Sequence, residues 1–419
     1  MKPLTLAAAG LACLIALPAA AQTPAEVVET YADIAHAGYE DSLITAKALD
    51  GAIGKLIASP SEETLDAARA AWLAARVPYQ QTEVYRFGNP IVDDWEGKVN
   101  AWPLDEGLID YVDASYGSQS DENGLYTTNV IANEQITLNG ESVDVSQITP
   151  ELLAETLHEA EDVEANVATG YHAIEFLLWG QDLNGNDAGA GARPATDFDP
   201  ANCTGGNCER RAQYLKAASE LLISDLEEMV ESWGEGGEAR AAVTEDPAAG
   251  LTAIFTGMGS LSYGELAGER MKLGLLLHDP EEEHDCFSDN THNSHYYDAL
   301  GVRNVYQGEY KRVDGSTVSG PSLSGLVVAK EAALDEEVRK SLDATMDAMQ
   351  AMKDRAEGGE AYDQMIGQGN DEGNATVQAA IDGLVAQTRS IERAVAALDL
   401  GSIELEGSDS LDNPNAVFQ

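Results

Sequence analysis

Two polar side chains, His172 and Glu175, stand in an otherwise apolar run over residues 170–179. A helix that is apolar on every side belongs inside a core, so both side chains should be buried. Positions i and i+3 share a helix face, and the imidazole and the carboxylate can therefore bind one cation together. A buried carboxylate without a partner is costly. A metal site and a simple His–Glu hydrogen bond both satisfy that requirement.

Other glutamates could complete a metal site. Glu83 precedes Arg86 by one turn, and a salt bridge and a metal ligand are equal alternatives for it. Glu265 and Glu269 are four residues apart on a predicted helix, where like charges repel unless a cation or Arg270 lies between them. We predict His172, Glu175, Glu83 and Glu269 as metal ligands.

Further acidic and histidine pairs favour structural interpretations. His158 and Glu161 repeat the spacing of the first pair, but the surrounding acids predict a solvent-exposed face. Asp105, Glu106 and Asp110 flank a short predicted helix start, where the helix dipole stabilises anions in any case. We expect these five residues to serve the fold.

Two loops could hold cations more loosely. His284, Asp289, His292 and His295 are expected in a mobile loop with weak metal affinity as the alternative. Residues 182–187 imitate a calcium-binding loop, but aspartate replaces the required glycine and no glutamate follows at the twelfth position. We predict a turn-rich connector there, with calcium as the alternative.

Common enzyme signatures are missing from the sequence. GxSxG, GxxxxGK[ST] and GxGxxG do not occur, so the hydrolase elbow, the P-loop and the dinucleotide fingerprint have no support. The zinc-peptidase motifs fail by one residue each, because Asp162 and Phe176 occupy the positions where HExxH and HxxEH require histidine.

The expected oxidation state of the cysteines depends on the cellular compartment. Residues 1–21 combine Lys2, an apolar run and an Ala-Ala-Ala end, which is typical of a cleaved secretory signal peptide. An oxidising compartment favours disulfides, and we predict a local one between Cys203 and Cys208. Cys286 is left as a buried thiol or a metal contact. No CxxCH occurs, so c-type haem is excluded. We expect a periplasmic or extracellular protein of the cell envelope.

Charge restricts the partners. The chain of 419 residues has 24 Lys and Arg against 73 Asp and Glu, a formal charge of −49. Nucleic acid and anionic membrane surfaces would repel such a protein. The 44% hydrophobic fraction is nonetheless that of a folded chain. After residue 21 no apolar run approaches the length of a transmembrane helix, so we predict no transmembrane segment.

Periodicity predicts a mostly helical protein. Two small hairpins are expected, over residues 136–143 and around Asp314 and Gly315. Breakers lie at 234–237 and 358–373. The order of helix pair, irregular stretch, hairpin and helix occurs about twice, which suggests two related bundles. Helices are predicted at 24–58, 61–87, 149–179, 208–233, 247–275, 325–356 and 374–398.

Together these segments resemble the imelysin family, also described as insulin-cleaving peptidases and iron-regulated protein A-like proteins. The family mark GxHxxE stands here as Gly170, His172 and Glu175. Nearly the whole chain after residue 21 is covered. The other similar segments are residues 72–76, 81–83, 86–97, 102–110 and 264–271.

The resemblance implies an all-α fold of two related, four-helix-type bundles with the functional site between them. We predict a bundle over 22–200 that carries GxHxxE, a second bundle over 201–400 and a tail over 401–419.

Two functions follow from the resemblance and the residues. One is an exported protein that binds a divalent or ferric metal ion, with iron favoured and zinc as the alternative, in iron uptake or homeostasis. A histidine with several carboxylates suits iron. A membrane iron-transport or redox protein would be its partner. The other is a metal-dependent peptidase, which a single secure histidine makes less favourable.

Overall fold

The structure is a computed structural model that describes residues 22–418. The predicted signal peptide at residues 1–21 lies outside this range. Helices dominate, with two small antiparallel hairpins, so the predicted all-α fold class is confirmed. No helix in the described range has the length and apolar content that crossing a membrane requires.

The first half of the chain contains long helices joined by irregular segments. α1 opens with a capping box at Thr23, in which Thr23 and Glu26 satisfy each other's backbone N–H groups. The hairpin β1–β2 pairs Ile136 with Val143, as the sequence predicted. The elements are α1 Pro24–Ala58, α2 Glu62–Gln80, α3 Pro90–Asn100, α4 Glu106–Ile109, β1 Gln135–Leu138, β2 Glu141–Asp144, α5 Pro150–Leu152, α6 Gly170–Trp179, α7 Cys208–Trp233 and α8 Glu238–Thr244.

The second half of the chain also consists of helices joined by irregular segments, with one hairpin. A π-helical segment, Leu261–Lys272, joins α9 to α10 without a break. The hairpin β3–β4 pairs Tyr310 with Val318. The elements are α9 Pro247–Ser260, α10 Leu273–Leu277, α11 Thr291–Gln307, β3 Glu309–Lys311, β4 Thr317–Ser319, α12 Leu323–Lys330, α13 Ala332–Glu357, α14 Tyr362–Ile366, α15 Asp371–Ala397 and α16 Asp409–Asp412.

Short 3₁₀ and π turns complete the chain. The π turn spans Leu153–Leu157. The 3₁₀ turns are Glu83–Tyr85, Ala114–Tyr116, Ala160–Asp162, Ala195–Phe198, Pro280–Glu282 and Ala416–Phe418.

Three predicted helices differ from the structure. The helix predicted over 149–179 is wrong, because Glu159, Glu161 and Asp162 adopt positive φ values and separate α5 from α6. The helix predicted over 61–87 ends at Gln80. The helix predicted over 325–356 divides at Glu331, whose extended backbone separates α12 from α13.

Two groups of helices share a junction. α1 packs against α2 and α7, while α6 packs against α2, α3 and α7. In the second group α13 packs against α11 and α15, and α15 also packs against the π-helical segment. α11 contacts α2, and this contact joins the groups. The boundary at residue 200 stays a prediction, although the packing of α7 favours a division after α8.

The C-terminal segment is docked on the π-helical segment. A Cβ at Gly264 would lie 2.5 Å from the Glu406 carbonyl oxygen, and one at Gly268 would lie 2.2 Å from Ser408 Cβ. These two glycines therefore allow the segment to approach the helix closely.

Candidate metal centre

α6 is fixed at its first residue by a close backbone approach. Gly170 has φ +76°, and a Cβ there would lie 2.3 Å from the Val99 carbonyl oxygen. Only glycine fits this conformation and this contact. The neighbouring Thr169 hydroxyl donates to the Lys98 carbonyl at 2.8 Å. The glycine of GxHxxE therefore seats α6 against α3 and sets where His172 lies.

His172 and Glu175 contact each other, as their spacing predicted. Nδ1 of His172 lies 3.0 Å from Oε2 of Glu175. The other oxygen of Glu175 accepts from the Ser288 amide at 3.0 Å and from its hydroxyl at 2.6 Å. Both oxygens of Glu175 are thus used for orientation, and Nε2 of His172 has no hydrogen-bond partner.

His284 and Asp285 complete a cluster with His172. One ligand atom from each of the three side chains can be chosen so that all lie within 4.8 Å of one another. The two imidazole rings meet edge to face with centroids 4.7 Å apart. Neither ring nitrogen of His284 has a hydrogen-bond partner. Buried polar atoms normally do have one, so these free nitrogens fit metal ligation.

Asp285 is held by several donors. Nη2 of Arg76 lies 2.8 Å from Oδ1, and Nδ2 of Asn290 donates to Oδ2 at 2.7 Å. The Ser294 hydroxyl also donates to Oδ2. Arg76 in turn donates to Asn100 Oδ1 at 2.7 Å. These contacts fix the carboxylate beside the two histidines.

The electrostatics keep both histidines neutral. Burial lowers the pKa of His172 to about 3, with Arg76 contributing in the same direction. Burial also lowers the pKa of His284 well below its ordinary value. Burial alone would raise the pKa of Asp285, but Arg76 and the hydrogen bonds from Ser294 and Asn290 act against it, and the net shift is downward. Two neutral imidazoles and a carboxylate are the protonation states that bind a metal.

The predicted ligand Glu83 lies in an arginine-centred network. Nη2 of Arg270 contacts Glu83 at 2.7 Å, and the same guanidinium contacts Glu265 at 2.8 Å and Asp298 at 3.2 Å. The salt bridge considered for Glu83 is therefore present, although with Arg270 instead of Arg86. Glu269 is half-buried on the same helix as Arg270, and it is not part of this network.

The prediction of a mobile loop around His284, His292 and His295 is wrong. His284 and His295 are at most 1% exposed. His292 and His295 lie in the first two turns of α11, a helix that the sequence analysis did not predict. The useful signal was the concentration of three of the seven histidines within residues 284–295. Asp285 carried no comparable signal, because its role depends on residues far away in the sequence.

The remaining predicted residues have structural contacts. A disulfide joins Cys203 and Cys208. Asp110 is buried between Arg193 at 2.8 Å and Arg211 at 2.6 Å. Cys286 is a free thiol, half-buried next to Asp285.

Comparison with known proteins identifies the family. The sequence model of the family described as Imelysin matches residues 35–391. The chain belongs to the imelysin family. It is 30% identical over 115 residues to Iron-regulated protein A of Synechococcus elongatus, an alignment that covers 25% of this chain and 32% of that protein. This imelysin thus aligns with about a third of the length of that curated relative.

Solved structures share the fold of this imelysin. An iron-regulated protein A precursor from Parabacteroides distasonis ATCC 8503 superposes with a TM-score of 0.65 at 20% identity, over 91% of this chain and 97% of that one. An imelysin-like protein from Psychrobacter arcticum 273-4 superposes with a TM-score of 0.57 at 16% identity, over 93% and 99%. These identities support the fold alone.

Proposed function

We propose that this imelysin binds one metal ion, iron in preference to zinc, through His172, His284 and Asp285. The observation that carries the proposal is the cluster of two neutral imidazoles and one carboxylate, with unpartnered imidazole nitrogens in a buried site. Two histidines with one carboxylate are the donor set typical of non-haem Fe(II) sites. The same set also accepts zinc.

Glu175 would position His172. With Oε2 of Glu175 accepting the Nδ1 proton, Nε2 of His172 would be free to bind the metal, which is the usual arrangement for metal-bound histidine. The sequence prediction of Glu175 as a direct ligand stays a prediction. Glu83 is a weaker candidate, because the Arg270 guanidinium already neutralises it.

Metal holding is favoured over peptide cleavage. In the described range, His172 and His284 are 1% exposed and Asp285 is fully buried. A peptidase needs room for a polypeptide and for a water with a general base beside the metal. The buried cluster suits capture and release of an ion instead.

A role in iron uptake or homeostasis at the cell envelope is consistent with the name of the Synechococcus elongatus relative. The strong negative charge would concentrate cations near the protein. Delivery to a membrane transport or redox protein is part of the same proposal.

Anaerobic titration of the chelator-stripped protein with Fe²⁺ tests this function. We expect one tight equivalent, weakened at least about 100-fold in His172→Ala and His284→Ala because each loses a ligand. His36→Ala, a histidine on α1 outside the cluster, is the matched control and should leave the affinity unchanged. Equal affinity in all four proteins would refute the site, and chelator-sensitive cleavage of a peptide library would favour the peptidase.

A further inference from the structure

A cavity at the C-terminal end of α6 shares no residue with the histidine cluster. We call it the α6 cavity, and its volume of about 330 Å³ is enough for a small organic ligand. Apolar side chains supply most of its wall, among them Tyr111, Trp179 and Leu183. Leu183 is 63% exposed, so the cavity has an accessible apolar side.

Arg193 brings a buried guanidinium group to this wall. Its side chain is 1% exposed, and Nη1 contacts Asp110 at 2.8 Å and Asp197 at 3.1 Å. Nε and Nη2 have no hydrogen-bond partner. Buried donors normally have one, and a guanidinium group cannot lose its charge by titration as a carboxyl group can. The two donors therefore indicate an acceptor that the described residues do not supply.

The unpartnered donors form one edge of the guanidinium plane. Nε–H and one N–H of Nη2 point in the same direction, which is the geometry that binds both oxygens of a carboxylate. Cζ lies over the rings of Tyr111 and Phe176, at 5.0 and 5.4 Å from their centroids. A Cβ at Gly180 would lie 3.7 Å from Nε. The missing side chain of Gly180 therefore leaves room beside this edge, on the wall of the cavity.

Positive charge is in excess around this edge. Nη2 of Arg69 donates to the Arg193 carbonyl at 2.9 Å, and Arg193 and Arg211 share Asp110. Asp110 and Asp197 are the buried acids that pair with these guanidinium groups, whereas the ion-pair partner of Arg69 is 71% exposed. Three guanidinium groups thus meet two buried carboxylates, and one further negative charge would balance them.

The acid on the cavity wall does not supply that charge. Oδ1 of Asp113 accepts from the Ser115 amide at 2.9 Å and from its hydroxyl at 2.7 Å. The amide of Asp113 donates to Oε1 of Gln181 at 2.6 Å, which also ties up the acceptor of Gln181. An acceptor for Arg193 would therefore come from a ligand.

We propose that the α6 cavity binds a small monocarboxylate with an apolar body. Nε and Nη2 of Arg193 would donate to its two oxygens, while Trp179 and Leu183 would contact the apolar part. Leu183 belongs to the connector at residues 182–187, in which Nδ2 of Asn184 donates to Oδ1 of Asp182 at 2.7 Å. The inference does not rest on metal binding by the histidine cluster.

Calorimetric titration of the purified protein with phenylacetate tests the proposal, at about 0.15 M salt to screen repulsion by the acidic surface. We expect one equivalent to bind at least about 10-fold more tightly than the neutral phenylacetamide, because the amide cannot accept two charge-assisted hydrogen bonds. N-acetylphenylalanine carries the carboxylate of a peptide C-terminus. Whichever of the two acids binds more tightly shows whether a free acid or a chain end is the natural source.

Two variants test the position of the ligand. Arg193→Lys keeps the positive charge but loses the paired donors, so the affinity for phenylacetate should fall at least about 10-fold. Leu183→Glu adds a negative charge at an exposed residue of the wall and should weaken phenylacetate binding at least about 5-fold. Ile44→Glu makes the same kind of change at an exposed residue of α1, outside the cavity, and should leave the affinity unchanged.

Thermal melting of each variant checks that it is folded, and Leu183→Glu decides the matter if Arg193→Lys does not fold. Equal affinities for phenylacetate and phenylacetamide in the wild type would overturn the proposal. Unchanged phenylacetate affinity in Leu183→Glu would overturn it as well.

Discussion

At the residue scale, the candidate metal centre depends on hydrogen bonds that orient its ligands. One oxygen of Glu175 contacts His172 and the other accepts from Ser288. Glu175 therefore fixes both the imidazole ring and the loop beside Asp285. Nη2 of Arg76 holds Oδ1 of Asp285 at 2.8 Å. The pair His172 and Glu175 was visible in the sequence, whereas their partners were not.

Replacing the carboxyl group of Glu175 with an amide tests its positioning role. Glu175→Gln should weaken Fe²⁺ binding about 10- to 100-fold, because the amide orients the ring less well and does not raise its basicity. The dissociation constant is measured by competition with a chelator. Glu155→Gln, an exposed glutamate, is the control, and an unchanged dissociation constant in Glu175→Gln would contradict the role.

A buried carboxylate away from the candidate metal centre, Asp225, should make the stability of the protein depend on pH. Burial raises the pKa of Asp225 from 3.8 to about 6. A raised carboxylate pKa means that the ionised form destabilises the folded state, fully above pH 6, and that this cost disappears as the pH falls towards 3.8.

Asp225→Asn should therefore raise the free energy of unfolding by about 1–2 kcal/mol at pH 7.5 and leave it unchanged near pH 4. Urea unfolding at both pH values measures the difference. Glu231→Gln, an exposed acid on the same helix α7, should change stability at neither pH. An equal gain for Asp225→Asn at both pH values would show that the ionisation of Asp225 is not its cause.

At the scale of elements, the long amphipathic helices were predictable and the buried polar segments were not. α1 and α7 have ordinary helical periodicity with clear starts, so the sequence was sufficient for them. α6 begins at residue 170 because Gly170 must fit against Val99, a contact across 71 residues. Such a contact leaves no periodic signal in either segment.

α11 illustrates the same limit. Its first turns carry polar and histidine side chains that resemble a loop, yet they are buried because Asp285, Asn290 and Ser294 bond to one another. The polar composition of this segment therefore predicted solvent exposure, whereas the side chains lie in a polar interior.

Adding a methyl group at Gly170 tests whether its close contact with Val99 fixes the position of α6. Gly170→Ala should lower the free energy of unfolding by at least about 2 kcal/mol and weaken Fe²⁺ binding, because the methyl group meets the Val99 carbonyl. Gly51→Ala in α1, where a Cβ meets nothing within 4 Å, should leave stability unchanged or raise it by up to about 1 kcal/mol. Full stability and affinity in Gly170→Ala would contradict this account.

At the scale of the whole molecule, the histidine cluster lies where the two groups of helices meet. His172 comes from α6 in the first group, while His284 and Asp285 precede α11 in the second. A bound ion would therefore tie the groups together. The charge of −49 would also raise the local concentration of cations around that junction.

Anomalous diffraction at the iron edge, from crystals of Fe²⁺-loaded protein, tests the central proposal most directly. We expect a peak of anomalous density in contact with His172, His284 and Asp285, and its loss in His284→Ala crystals treated in the same way. Iron density confined to surface carboxylates, with the histidine cluster empty, would contradict the proposal.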